Sequence, residues 1–215
     1  MLNERELLHI ILVTVVLVFA VTFKEFIISG VDYLYLGTIF VFILFIILIN
    51  LLAKKYVAYK YEANLETQIW NWQRFGFKRH RYFKNPIPAG IIIPAIITVL
   101  TMGKFLFLAS LESKIEGTSA RASKSHGRFR FTEMTDSHIG FISGAGIIAN
   151  LILAVIAYLI DLGQLAELSI YYAVYSLIPF GNLDGMKILM GNKNYWFALV
   201  ILTLIFLSYV LFLPK

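Results

Sequence analysis

Ser176-Leu-Ile-Pro179-Phe-Gly181-Asn182-Leu-Asp184-Gly185-Met-Lys187 is the stretch on which the rest of the chain turns. It closes an apolar run that begins at Leu168 and ends at Met190. A carboxylate at the end of such a run is costly to bury, which makes Asp184 a candidate functional residue. Pro179 and Gly181 break the helix before it, free its carbonyls, and let Asn182 and Asp184 turn into the protein. The bland alternative is a helix that ends near Asn182, with Asp184 at the interface beside Lys187.

Five other apolar runs share the chain: Leu7–Phe23, Tyr35–Leu52, Gly90–Leu108, Ile139–Ile160 and Tyr195–Leu213. Each is about long enough for a hydrocarbon core of roughly 30 Å at about 1.5 Å per residue. The chain is 59% hydrophobic and only 15% charged, against about a quarter charged in soluble domains. A polytopic integral membrane protein follows, with the lipid bilayer as its first partner. There are no cysteines, so disulfide and thiol chemistry are excluded. The charged lead Asn3-Glu4-Arg5-Glu6 precedes an apolar run with no small-residue cleavage site after it. The first run therefore reads as an uncleaved span.

Charge placement decides one segment. Fourteen of the nineteen basic residues fall in two stretches, 54–88 and 104–137. If Gly90–Leu108 crossed the membrane, these stretches would lie on opposite sides, against the positive-inside rule. If it dips in and returns, Arg5, both stretches, Lys187 and Lys193 share the cytoplasmic side, and only Lys24 and Lys215 lie outside. Gly90, Pro94, Gly103 and Lys104 also suit a re-entrant segment better than a straight span. The expectation is an all-α polytopic fold forming a single membrane domain over 1–215. Its five spans lie near 7–29, 35–53, 138–160, 168–188 and 194–213, with a re-entrant or interfacial segment at 89–109. The basic segments 54–88 and 110–137 are cytoplasmic, as is the N-terminus. Trp70, Trp72, Phe75, Phe77, Tyr82 and Phe83, interleaved with basic residues, suggest rings at headgroup level. Nucleic acid is not expected as a partner, because basic bias is ordinary beside membrane spans.

Two motifs carry a resemblance. Leu183-Asp184-Gly185, after Pro179, and Ala145-Gly146 with Asn150 resemble the site-2 protease family of intramembrane zinc metalloproteases, in that order and separation. Gly127-Arg-Phe-Arg-Phe131 resembles the strand-like lead-in to the second motif. The likeness covers roughly residues 40–190. It implies that Asp184 stands at a zinc-ligand position and that Asn150, Pro179 and Asn182 serve substrate or partner binding. The family's third element is His-Glu-x-x-His, two metal ligands one turn apart with a general base between them.

That element is missing. The four histidines, His9, His80, His126 and His138, are isolated. Aligning Tyr56-Val57-Ala58-Tyr59-Lys60-Tyr61 with the exit of the motif helix puts Asn50 and Lys54 at the two His positions and Leu51 at the Glu position. No shift by a turn recovers the motif. Leu51 cannot act as a base, Lys54 repels a metal, and Ser176 replaces a family Asn. The resemblance thus implies a non-catalytic pseudoprotease that binds membrane-protein partners or transmembrane segments, with no catalytic residue and no cofactor. Lys54 is expected to pair with Asp184 in the metal's place, with Asn50 and Asn182 adding hydrogen bonds. Two alternatives stand beside it: an active metallopeptidase that binds zinc through atypical ligands, and an unrelated small transporter or scaffold. A loop metal site of His126, His138, Glu133 and Asp136 is a weaker candidate.

Overall fold

A computed structural model describes residues 3–30, 32–74, 82–118 and 134–212. The chain is mostly helical, at 71%. Four helices are long and apolar enough to cross a membrane. They are α1 (Glu4–Ser29), α2 (Tyr33–Lys60), α4 (Asp136–Leu159) and α7 (Lys193–Phe212). The shorter helices are α3 (Ala89–Leu100), α5 (Gly163–Ser176) and α6 (Asp184–Gly191). Local chemistry sets the ends: the Asp32 carboxylate accepts from the Leu34 and Tyr35 amides at the start of α2, so its first turn is capped.

The segment at 168–188 is not one helix. α5 is 14 residues long and stops at Ser176. Residues 177–183 then form a break before α6 begins at Asp184. Pro179 disfavours helical backbone at the residue before it. Gly181 holds φ +57° against the Trp70 ring, a left-handed conformation that glycine adopts without strain.

The connecting segments are not all helical either. β1 (Ala63–Ile69) pairs antiparallel with β4 (Leu111–Gly117), Ala63 opposite Gly117 and Ile69 opposite Leu111. β2 (Trp72–Arg74) pairs with β3 (Tyr82–Ile87). β1 alternates strictly: Ala63, Leu65, Thr67 and Ile69 are buried, while Asn64 and Glu66 are exposed. This period of two is the signature of a half-buried strand.

The segment at 89–109 leaves and returns to one place. The Trp70 amide donates to the Ser110 carbonyl and the Gly90 amide to the Trp70 carbonyl, both at 2.9 Å. A Cβ at Gly90 would collide with the Ser110 backbone, so the two ends of the excursion touch. Its tip, Gly103 at φ +71°, lies against the backbone of Lys24. Lys24 is about 27 Å along α1 from Glu6, and Glu6 sits beside β1 and the end of α2. Lys104 therefore joins Lys24 at the far end of α1. This corrects the expectation that Lys104 shares a side with the basic segments.

Trp70 is also corrected. It is 2% exposed and packs with Ala89, Ala109 and Leu183, so it is a core residue and not a headgroup-level ring. Trp72, at 38%, keeps an exposed face. Phe75, Phe77, His80, His126, Gly127–Phe131 and Glu133 lie outside the described residues.

Candidate functional site

The site forms where α2, α4, α6 and β4 meet. Asp184 opens α6 and is 4% exposed; Lys54, six residues before the end of α2, is 5% exposed. The Lys54 ammonium lies 2.5 Å from Asp184 Oδ2 and 3.4 Å from the Ser113 hydroxyl. The other carboxylate oxygen, Asp184 Oδ1, has no hydrogen-bond partner among the described residues.

Glycine makes this approach possible. On α4, a Cβ at Gly146 would stand 2.5 Å from Lys54 Cε and 2.7 Å from Asn50 Nδ2. A Cβ at Gly185 would strike the Leu177 carbonyl, so α6 packs directly on the end of α5. Gly140 packs on the backbone of α6 near Lys187 and Gly191, and Gly144 receives the Tyr195 ring. The small residues of α4 thus set how closely α2 and α6 approach each other.

The other expected residues are not all drawn to this pair. Asn50 is 3% exposed, but its Nδ2 makes no hydrogen bond among the described residues. Leu51 is buried, a hydrocarbon side chain where a base would be needed. Asn182 is exposed and faces Glu112 rather than Asp184. Asn150 is fully buried; its carbonyl accepts from the Ser169 hydroxyl at 2.8 Å, tying α4 to α5. Both polar atoms of the Asn150 side chain lack a partner among the described residues. Pro179 is exposed in the break. Asn150, Pro179 and Asn182 therefore do not share one surface. Ser176 donates to the Tyr172 carbonyl at 2.8 Å and is committed to its own helix. His138 stacks on Tyr61 at 4.7 Å, and no group of three potential metal ligands occurs among the described residues.

Lys187 also stands at the site, with Glu112 and Gln68, two residues not singled out from sequence. Lys187 donates to the Ser113 carbonyl. Glu112, 4% exposed, accepts from the Gln68 amide at 2.5 Å. Burial pushes the Glu112 carboxyl above its ordinary pKa, against the opposing pull of Gln68, Lys187, Asn71 and Asn182. These groups line a cavity of about 280 Å³ together with Ser113 and Ile139. Gln68 on β1 and Glu112 on β4 stand directly opposite in register, which is what brings the two together.

The zinc that the resemblance implies does not fit these donors. Zinc takes about four ligands, typically thiolate, imidazole or carboxylate. Here no group of three such donors occurs among the described residues, and an ammonium group lies 2.5 Å from the Asp184 carboxylate. The nearby residues on α2 are an amide and a leucine. What the arrangement does chemically is neutralise a buried carboxylate with a buried cation. No family model matches this sequence, and neither curated proteins nor solved structures give a match.

Proposed function

We propose that this chain is a non-catalytic relative of the site-2 proteases, which binds transmembrane segments of other membrane proteins without cutting them. One observation carries the proposal: the Lys54–Asp184 pair at 2.5 Å joins the two segments that hold metal ligands in that family. A buried carboxylate needs a positive partner, and Lys54 supplies from α2 the charge that a metal would supply. Gly146 on α4 stands beside this pair, with Asn150 one turn further along the same helix in the order the resemblance implies.

The membrane arrangement in this reading has five crossings and one re-entrant segment. α5 rises about 21 Å at about 1.5 Å per residue, short of a hydrocarbon core of roughly 30 Å. The break at 177–183 and α6 complete that fifth crossing, with the re-entrant segment and the strands shielding the broken backbone from lipid. The N-terminus and the Lys54–Asp184 site lie toward the cytoplasm, where the basic segments belong.

Metal analysis of purified protein tests the reading. The wild-type chain is expected to carry no stoichiometric zinc, and Asp184→Ala no less. The triple variant Asn50→His, Leu51→Glu, Lys54→His restores the motif in the proposed register and is expected to gain about one zinc per chain. Stoichiometric zinc in the wild type, lost on Asp184→Ala, overturns the proposal in favour of an enzyme. Failure of the triple variant to bind zinc while folded overturns the family register.

A further inference from the structure

Beside the Lys54–Asp184 pair lies a second buried carboxylate, and it is served differently. Asp184 has an ammonium partner. Glu112 has none: among the described residues, no Lys or Arg forms an ion pair with it. Its Oε1 takes the Gln68 amide, and its Oε2 has no hydrogen-bond partner among those residues. The neighbouring cation, Lys187, gives its hydrogen bond to the Ser113 carbonyl. The other lysine on this wall, Lys114, is paired with Glu116 at 2.8 Å on the strand. The Asn71 amide, the Asn182 side chain and the Lys187 charge also pull on the group, but a carboxyl that is 4% exposed and has no cation in direct contact among the described residues is costly to ionise unless a closer counter-charge arrives.

Space for such a group is at hand. The cavity of about 280 Å³ runs along β4 between Gln68, Asn182 and Lys187 and is ample for one long side chain. Its Ile139 and Ile115 walls suit an alkyl stem. A transmembrane segment carries its Lys and Arg residues preferentially on its cytoplasmic flank, and the proposed topology places this cavity on that side.

We infer that the cavity receives a Lys or Arg side chain from the cytoplasmic flank of a bound transmembrane segment, with Glu112 as its counter-charge. This rests on the partner-binding reading above and adds to it the chemistry of the segment that is bound. The stem lies along Ile115 and Ile139, and the cationic head donates to Glu112 Oε2. Gln68 holds the other oxygen and fixes the carboxylate. The Lys54–Asp184 pair keeps a second anionic site closed, so the basic residue has one destination.

The test uses the full-length protein in phosphatidylcholine nanodiscs, a neutral bilayer that does not itself attract lysine. The probes are three labelled synthetic transmembrane peptides with the same Leu/Ala core, flanked by lysines, by glutamines or by glutamates. Binding is read by energy transfer to the nanodisc-embedded protein. The lysine peptide is expected to bind at least about tenfold more tightly, the low end of measured couplings for close charge pairs. Glu112→Gln is expected to remove the difference, Glu112→Asp to reduce it, and Glu112→Lys to favour a glutamate-flanked peptide. Equal binding of the lysine and glutamine peptides overturns the inference and leaves partner binding standing. So does discrimination that survives in folded Glu112→Gln. Binding of none of the peptides overturns both this inference and the partner-binding reading.

Discussion

Lys54 and Lys55 are neighbours on α2, yet they meet opposite fates. Lys55 reaches the Glu6 carboxylate at 2.6 Å, and Glu6 also accepts from the Thr67 amide at 2.8 Å and the Asn3 amide at 3.0 Å. Both Glu6 oxygens are thus used, and one carboxylate ties α1, α2 and β1 together. Lys54 turns to Asp184, which receives that one ammonium and leaves an oxygen without a partner among the described residues. Glu6 has the arrangement of a clamp: every lone pair that matters is occupied. Asp184 is different: its charge is balanced, but its hydrogen bonding is incomplete among the described residues. Two ion pairs one residue apart therefore differ in what holds them.

The largest effect should come from breaking the Asp184 side. Asp184→Ala strands a buried Lys54 and should cost roughly 3–5 kcal/mol, read as loss of thermal stability in detergent. The double variant Lys54→Met, Asp184→Leu removes both charges and should recover most of that loss. If the double variant is as unstable as the single, the pair is not an isolated charge balance, and the contrast with Glu6 collapses. Glu6→Ala should cost less, about 1.5–3 kcal/mol, the range for hydrogen bonds to a charged group. Lys55 is 21% exposed and can turn to solvent when its partner goes. Chemical denaturation of both single variants gives the order, and a reversal would make Glu6 the more strained of the two.

The smallest effect concerns pH. Glu112 stands between the extremes, hydrogen-bonded but without a cation partner among the described residues. Burial raises its pKa in the folded state, so folding favours the protonated form. Its contribution is fully present below the ordinary carboxyl value of 4.5 and is lost as pH rises through the raised value. Melting temperatures of wild type and Glu112→Gln should therefore diverge upward from about pH 4.5, with wild type losing ground. Parallel curves would place Glu112 with the fully satisfied Glu6.

Apolar run length carried the fold a long way in the sequence, because crossing a hydrocarbon core is a constraint on local composition. The four helices long and apolar enough to cross a membrane follow from it. Proline and glycine chemistry marked the break before Asp184, but the length of α5 did not follow from pattern, because the apolar run continues across Pro179. The strands were visible as alternation at 63–69, yet the basic residues around them read as an interfacial segment. Lys104 was misplaced for a different reason: its depth is set by α3 packing along α1, which no local pattern encodes. At the site, Lys54 and Asp184 could be paired from the register of two motifs. Asn182 went elsewhere because β4 brings Glu112 to it across a long excursion, and the cavity exists only once β1 and β4 are paired.

That pairing has a consequence for how the protein is made. Ile69 and Leu111 are partners in one sheet, but α3 and the whole re-entrant excursion separate them in the chain. At translation rates of about 5–20 residues per second, β1 emerges roughly 2–8 seconds before the strand that completes it. During that interval its backbone edge is open, and the exposed Asn64 and Glu66 are the kind of residues that discourage wrong pairing. Until β4 arrives neither Ser113 nor Glu112 is in place, so the polar wall beside Lys54 cannot form until this strand has been made.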